Sequence, residues 1–110
     1  EIRSIGFPSN SSKLQVVDIQ ALASFATYLI DRPSLVIELQ GHTDNVGSSA
    51  VNRRLSQARA DVVKKVLVDL GVADQRIHAV GYGDSDAIAH NDNAAGRALN
   101  RRTSFQVLAQ

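Results

Sequence analysis

Two stretches of helical spacing, each followed by a short β-rich run, constrain this chain more than any other feature. Between residues 14 and 30, apolar side chains recur at Leu14, Val17, Ala21, Leu22, Phe25, Leu29 and Ile30, the spacing of one helix face. Asp31-Arg32-Pro33 ends that helix, because the residue before a proline is pushed out of the helical region. Residues 35–39 then form an inner strand, β-rich and only weakly alternating. A longer helix is expected over residues 49–70, and Gly71 stops it. Residues 77–82 form the next strand. A polar loop over 84–93 and a helical turn over 94–100 lead to a last strand at 102–108, where Thr103, Phe105 and Val107 alternate. A first strand is expected over residues 1–7, from Ile2, Ile5 and Phe7, with Ser11 or Ser12 capping the helix that follows.

The order is therefore βαβαββ. Strand–helix–strand connections of these lengths favour parallel neighbours with the helices packed against them. The expected fold is α/β, a two-layer α+β sandwich: a mixed four-stranded sheet with both long helices on one face. A chain of 110 residues is the size of one domain, taken here as residues 1–110. Because it opens at Glu1 and not at Met, it is expected to be a piece of a larger protein. With no Cys there is no disulfide framework, thiolate nucleophile or Cys-ligated zinc. Twelve Lys and Arg against eleven Asp and Glu leave a net charge of +1, which argues against a polyanion binder. No apolar run approaches the ~18 residues of a membrane span.

The long helix carries an anomaly. On a wheel of about 100° per residue with Leu55 at zero, Ala58, Val62, Val66 and Leu70 fall within about 60° of it, an arc expected to face the sheet. Arg59 and Asn52 fall inside the same arc. A guanidinium aimed at a core cannot deprotonate, and burying it unpaired costs several kcal/mol, so it needs partners. The nearest carboxylate in sequence is Asp44, in a loop that leaves the carboxyl end of a strand, where α/β sheets tend to bind ligands. Asp44, Asn52 and Arg59 are thus expected to line one shallow site. The bland alternative is an Asp44–Arg59 salt bridge that only orders the loop. An Asp beside an Arg suits a zwitterion: the carboxylate accepts from an ammonium, and the guanidinium grips a carboxylate.

Other chemistries fit poorly. His42, Asp44 and Ser56 have the residue types of a triad, but Ser56 sits on a helix body and not on a strand–helix elbow. His42 is expected to make a structural hydrogen bond in its loop. His42, His78 and His90 share no metal-binding spacing. Arg97, Arg101 and Arg102 form a basic cluster, read either as an anion-binding patch or as a solvated loop whose charges pair locally, as with Asp84 or Asp86. Five Phe and Tyr residues and no Trp offer little for nucleic acid to stack on.

Gly41-His42-Thr43-Asp44-Asn45-Val46-Gly47, then Asn52, Leu55-Ser56 and Arg59-Ala60, then Gly81-Tyr82-Gly83, Asn91, Gly96-Arg97 and Asn100-Arg101-Arg102 resemble the OmpA-like C-terminal domain. Its relatives include Pal lipoproteins and the periplasmic part of MotB stator proteins, and the likeness runs over about residues 7–107. The resemblance implies a non-catalytic, cofactor-free and metal-free domain that binds peptidoglycan noncovalently at the diaminopimelate residue of the stem peptide. It implies a periplasmic location, with a tether to the outer or inner membrane supplied by segments outside this chain, no nucleic-acid partner, and room for a homodimer. Carried over by motif position, Asp44 takes the ammonium and Arg59 the carboxylate. Asn52, Arg101 and Asn10 fix orientation, with Thr43 and Asn45 of the same loop beside them. On that basis Asp44→Ala or Arg59→Ala is expected to remove binding and leave the fold nearly intact. The runner-up is a protein–protein module in which Asp44–Arg59 is a structural ion pair. Three departures stand out: Val46 replaces a hydroxyl residue, Ala87 replaces a Pro, and Asp84 replaces a Glu.

Overall fold

The computed structural model describes residues 4–110, so the expected first strand is seen as β1, Ser4–Gly6, and its residues 1–3 lie outside the described residues. Helix α1 spans Val16–Ile30, two residues later than its apolar spacing begins. Neither expected serine caps it. Ser11 Oγ accepts from Lys13 N at 3.0 Å within the preceding turn, while the Asp18 carboxylate reaches back to Gln15 N at 2.9 Å and satisfies the helix start. Strand β2 covers Val36–Gly41 and α2 covers Ser49–Asp69, whose first turn is capped by Ser48 Oγ accepting from Val51 N. Gly71 takes φ +109°, and Val72 N donates to Leu67 O at 3.1 Å, closing α2 as a C-terminal glycine does. A 3₁₀ turn at Asp74–Arg76 leads into β3, Ile77–Gly81. Helix α3, Ala94–Asn100, precedes β4, Arg102–Ala109.

The sheet order is β1-β4-β2-β3. β2 and β3 are parallel, and β4 runs antiparallel to both β1 and β2. The last strand is therefore inserted between the first two, so β1 and β2 share a direction without touching. Apolar side chains of one sheet face, including Ile5, Ile37, Leu39 and Ile77, are buried with Leu22, Phe25, Ala26 and Leu29 of α1 and with Ala60, Val63 and Leu67 of α2. Both long helices cover that face, as expected.

The rotation of α2 differs from the wheel. Its buried residues are Asn52, Ser56, Arg59, Ala60, Val63 and Leu67, whereas Leu55, Ala58, Val62 and Val66 are half-buried on one flank and Leu70 is exposed. The cause lies in the strands. A Cβ on Gly41 would stand 1.8 Å from Ser56 O, and one on Gly81 would stand 2.5 Å from Gln57 N. Two strand-terminal glycines let the helix backbone press onto the sheet, so the helix turns its small residues, Ser56 and Ala60, to that contact. On the same wheel the buried arc runs from Arg59 to Ala60, with Arg59 and Asn52 on the side that borders the half-buried flank. The same closeness lets the Gln57 carboxamide bond Ala79 O at 3.0 Å and Gly81 N at 2.9 Å, closing part of the edge of β3.

Candidate functional site

Three crossings of the chain meet at the carboxyl end of β2: the turn after β1, the loop over residues 42–48, and the junction of α3 with β4. Arg59 is the strut between the first two. It has no exposed surface, and its guanidinium donates to Ser11 O at 2.8 Å, His42 O at 2.9 Å and Pro8 O at 2.9 Å. Its carbon lies 5.3 Å from the Phe7 ring centroid. Burial pushes its pKa down to about 10, with Asp44 opposing the shift and Arg101 adding to it, so the group stays charged at neutral pH.

Asp44 ion-pairs with Arg101, Oδ2 to Nη1 at 3.1 Å, and no Asp44–Arg59 ion pair forms. The Asp44–Arg59 salt bridge of the alternative reading is thus replaced by a different one. Side-chain exposure is 8% for Asp44 and 17% for Arg101, so the pair is largely shielded yet reachable from one side. The other Asp44 oxygen accepts from Val46 N at 3.1 Å. Val46 therefore contributes its backbone, and its side chain stands 64% exposed. Arg101 also donates from Nε to Phe7 O, and Phe7 N donates to Arg101 O, both at 2.9 Å. The remaining candidates divide. Asn52 is buried and donates to Asp44 O at 3.4 Å, holding the loop from below. Thr43 is also buried, with its hydroxyl unpartnered, so it faces inward and not toward a ligand. Asn45 is exposed. So is Asn10, and it adopts φ +59°, the left-handed conformation an Asn tolerates best among non-glycine residues.

The basic cluster is spread over separate tasks, and neither Asp84 nor Asp86 forms an ion pair among the described residues. Arg97 donates to Asn91 O, and Arg102 to Asp86 O and Asn100 O. Asn100, fully buried, accepts from Ile88 N and Ala89 N and donates to Ala89 O and Asn91 Oδ1. That clamp orders the loop beside Ala87. Ser56 Oγ donates to Arg53 O and accepts from Gly83 N, both at 2.8 Å, which commits it to structure.

His42 departs from expectation. Its ring is buried and stacked on Tyr82 at 5.6 Å, and both ring nitrogens lack hydrogen-bond partners. Burial, then the charge of Arg102, lowers its pKa from 6.5 to about 4, with Asp86 opposing. The unfolded chain therefore binds a proton that the fold refuses. Stability from this group is fully present above about pH 6.5 and is lost as pH falls through 4, a window worth up to about 3 kcal/mol. Thermal melts from pH 7 to 4 should show that decline. His42→Phe, which keeps the stack and cannot titrate, should flatten it; an unchanged slope would assign the acid sensitivity elsewhere.

The geometry defines a class: a two-layer α/β module with one buried guanidinium and one partly accessible guanidinium–carboxylate pair gathered at a strand end. Comparison with known proteins agrees with it. The OmpA family model matches residues 6–101. Outer membrane porin F of Pseudomonas fluorescens is 50% identical over 93 residues, covering 84% of this chain and 28% of that protein. The peptidoglycan-binding protein ArfA of Mycobacterium tuberculosis is 38% identical over 103 residues, covering 94% of this chain and 32% of its own length. The crystal structure of the peptidoglycan-associated lipoprotein from Burkholderia pseudomallei superposes with a TM-score of 0.93 at 35% identity, covering 96% of this chain and 90% of that one. The chain belongs to the OmpA family. It spans under a third of the length of the porin F and ArfA relatives.

Proposed function

We propose that this domain binds peptidoglycan noncovalently through the diaminopimelate residue of the stem peptide, without catalysis, and so anchors an envelope protein to the cell wall in the periplasm. The observation that carries the reading is the charge count at this strand end. Arg101 pairs with Asp44 at 3.1 Å, and the buried Arg59, bound to three carbonyl oxygens, adds a second positive charge behind them, so one positive charge is in excess beside an acceptor that an ammonium can use. A zwitterionic amino-acid centre complements both. Each Asp44 oxygen accepts one protein hydrogen bond and keeps a lone pair for a ligand ammonium. In this reading Arg101 takes the ligand carboxylate in place of Arg59, the residue expected to do so, because Arg59 is fully buried and committed to three carbonyl oxygens. Asn10 and Asn45 stand at the rim. The names of the mycobacterial and Burkholderia relatives support the polymer as the partner.

No helix among the described residues is long and apolar enough to cross a membrane, so attachment in this reading comes from elsewhere in the parent protein. Single-site affinity should be modest, since each charge-assisted contact is worth about 1–3 kcal/mol, and a polymeric wall would raise it through many sites. Asp44→Asn tests the reading, with thermal melts to verify the fold, because the amide oxygen replaces only one of the two acceptors that Val46 N and Arg101 use. It should lower binding to purified sacculi by about tenfold or more, the loss of one charge-assisted contact. Parent-like binding by a folded Asp44→Asn would remove Asp44 from the site. In the second reading, a protein–protein module, the parent domain would stay in the supernatant when sacculi are pelleted.

A further inference from the structure

The amino end of β2 carries a second concave feature, remote from Asp44, which follows the carboxyl end of the same strand. A groove of about 770 Å³ opens there between α1 and the sheet. That volume lies in the roughly 300–1,000 Å³ range of small-molecule sites. Ile37, Phe105 and Val107 of the sheet face Phe25 and Leu29 of α1 across it, and Leu35 lies where β2 begins. The Phe25 and Phe105 rings pack with centroids 4.7 Å apart, and Tyr28 and Val107 are exposed at the mouth. No charged side chain lines the groove among the described residues.

Positive charge collects at the end where Leu29 and Leu35 meet. Arg32 lies over the Tyr28 ring, its guanidinium carbon 3.7 Å from the centroid, and donates through Nη1 to Tyr28 O at 3.2 Å. Among the described residues its Nε and Nη2 have no hydrogen-bond partner and it forms no ion pair. Arg76 stands beside it and donates to Leu29 O at 2.6 Å, Arg32 O at 2.7 Å and Leu35 O at 3.0 Å. Asp31 is the one carboxylate on this turn, so one positive charge is in excess beside an apolar groove.

We propose that this groove is a second binding site, for a single-chain amphiphile with an anionic head, of the alkyl carboxylate class. The chain lies along the Phe25 and Phe105 rings, and the carboxylate reaches the free donors of Arg32. The lining favours a chain over a peptide. A peptide laid in the groove would bury N–H and C=O groups against walls whose polar side-chain atoms are Ser24 Oγ and Tyr28 Oη, whereas an alkyl chain brings no polar group to satisfy. The unpaired guanidinium sets the sign of the head group. Arg32 is exposed, so its share of the affinity is modest and falls with salt. Occupancy is independent of peptidoglycan, because no lining residue belongs to the site at Asp44.

The test follows backbone amide shifts of the whole isotope-labelled domain by NMR. Three titrants are used: decanoate below its micelle concentration, decyltrimethylammonium, which puts the same chain on a cation, and phosphatidylglycerol vesicles. Decanoate should shift amides of residues 21–29 and 105–107 in a saturable way, and the cation should bind about threefold more weakly or worse. Ala21→Phe, which places a ring in the groove from α1, should weaken decanoate by about tenfold or more. Arg32→Gln should weaken it by about threefold and remove the preference over the cation. Both variants should pellet with sacculi as the parent does. Thermal melts verify the fold, and Ala21→Leu takes the place of the Phe variant if that one is unfolded. No saturable shift at the groove, or an affinity untouched by the folded filling variant, would overturn the site. Equal binding of the two head groups would overturn the anionic ligand. Shifts with vesicles and none with decanoate would give this face to a bilayer surface, and shifts that grow with the domain's own concentration would give it to a second copy. Either result overturns the proposal and leaves the peptidoglycan reading untouched.

Discussion

Arg59→Ala should lower the melting temperature by about 15 °C or more, a destabilisation of about 3–5 kcal/mol. The side chain has no exposed surface, and among the described residues it alone supplies donors to the carbonyls of Pro8, Ser11 and His42. Removing it leaves three acceptors short of a charge-assisted bond and opens a cavity under the Phe7 ring. A domain of this size has about 5–15 kcal/mol in total, so the loss takes a large share. Arg59→Lys should recover only part of it, because one compact ammonium cannot span three carbonyls held by a planar fork. Urea titration with thermal melts would measure this, and a variant melting within a few degrees of the parent would refute the strut. The consequence for binding assays is direct. Loss of sacculus binding in Arg59→Ala reports a broken scaffold before it reports a lost contact, so the expectation of a nearly intact fold does not hold.

Gly41→Val should be at least as damaging, about 4 kcal/mol or more, because even the first atom added has nowhere to go. The ideal Cβ would lie 1.8 Å from Ser56 O, 2.8 Å from Ser56 C and 3.1 Å from Ala60 N, all backbone atoms of α2. No side chain can rotate aside, so the helix must lift from the sheet where Leu39, Ala60 and Val63 are packed. Gly6→Ala is the matched control. Its new Cβ would meet only Arg101 O, at 3.8 Å, and should change stability by about 0.5 kcal/mol or less. Chemical denaturation of the two variants makes the comparison; a well-folded Gly41→Val would show that α2 is not pinned at this contact.

These two positions show where sequence and structure part. Arg59 was visible as an anomaly because a charged residue inside an apolar arc violates the helical period, and that signal survives an error in the arc's orientation. The orientation itself was not visible. Counting apolar residues pointed to Leu55 and Val62, but helix–sheet distance is set by the smallest residues at the contact, here Gly41 and Gly81 against Ser56 and Ala60. The identity of Asp44's partner was hidden for a different reason. Asp44 and Arg101 are 57 positions apart, and only the insertion of β4 between β1 and β2 brings them together. Thr43 looked like a neighbour of the ligand from its place beside Asp44, yet its side chain is buried with an unpartnered hydroxyl. His42 looked like a loop hydrogen-bonder and became a stacked, unpartnered ring, because Tyr82 arrives from β3.

The sequence by itself determined the element order, the helix stops at Pro33 and Gly71, the four-stranded two-layer class and the family, since these rest on local periodicity, backbone conformation and motif spacing. The tertiary structure decided which partner each charge takes. Arg59 went to carbonyl oxygens of two loops and Asp44 to Arg101, because a buried cation is satisfied by whichever acceptors the chain crossings place within about 3 Å, and those crossings are set by strand order, which no local pattern encodes.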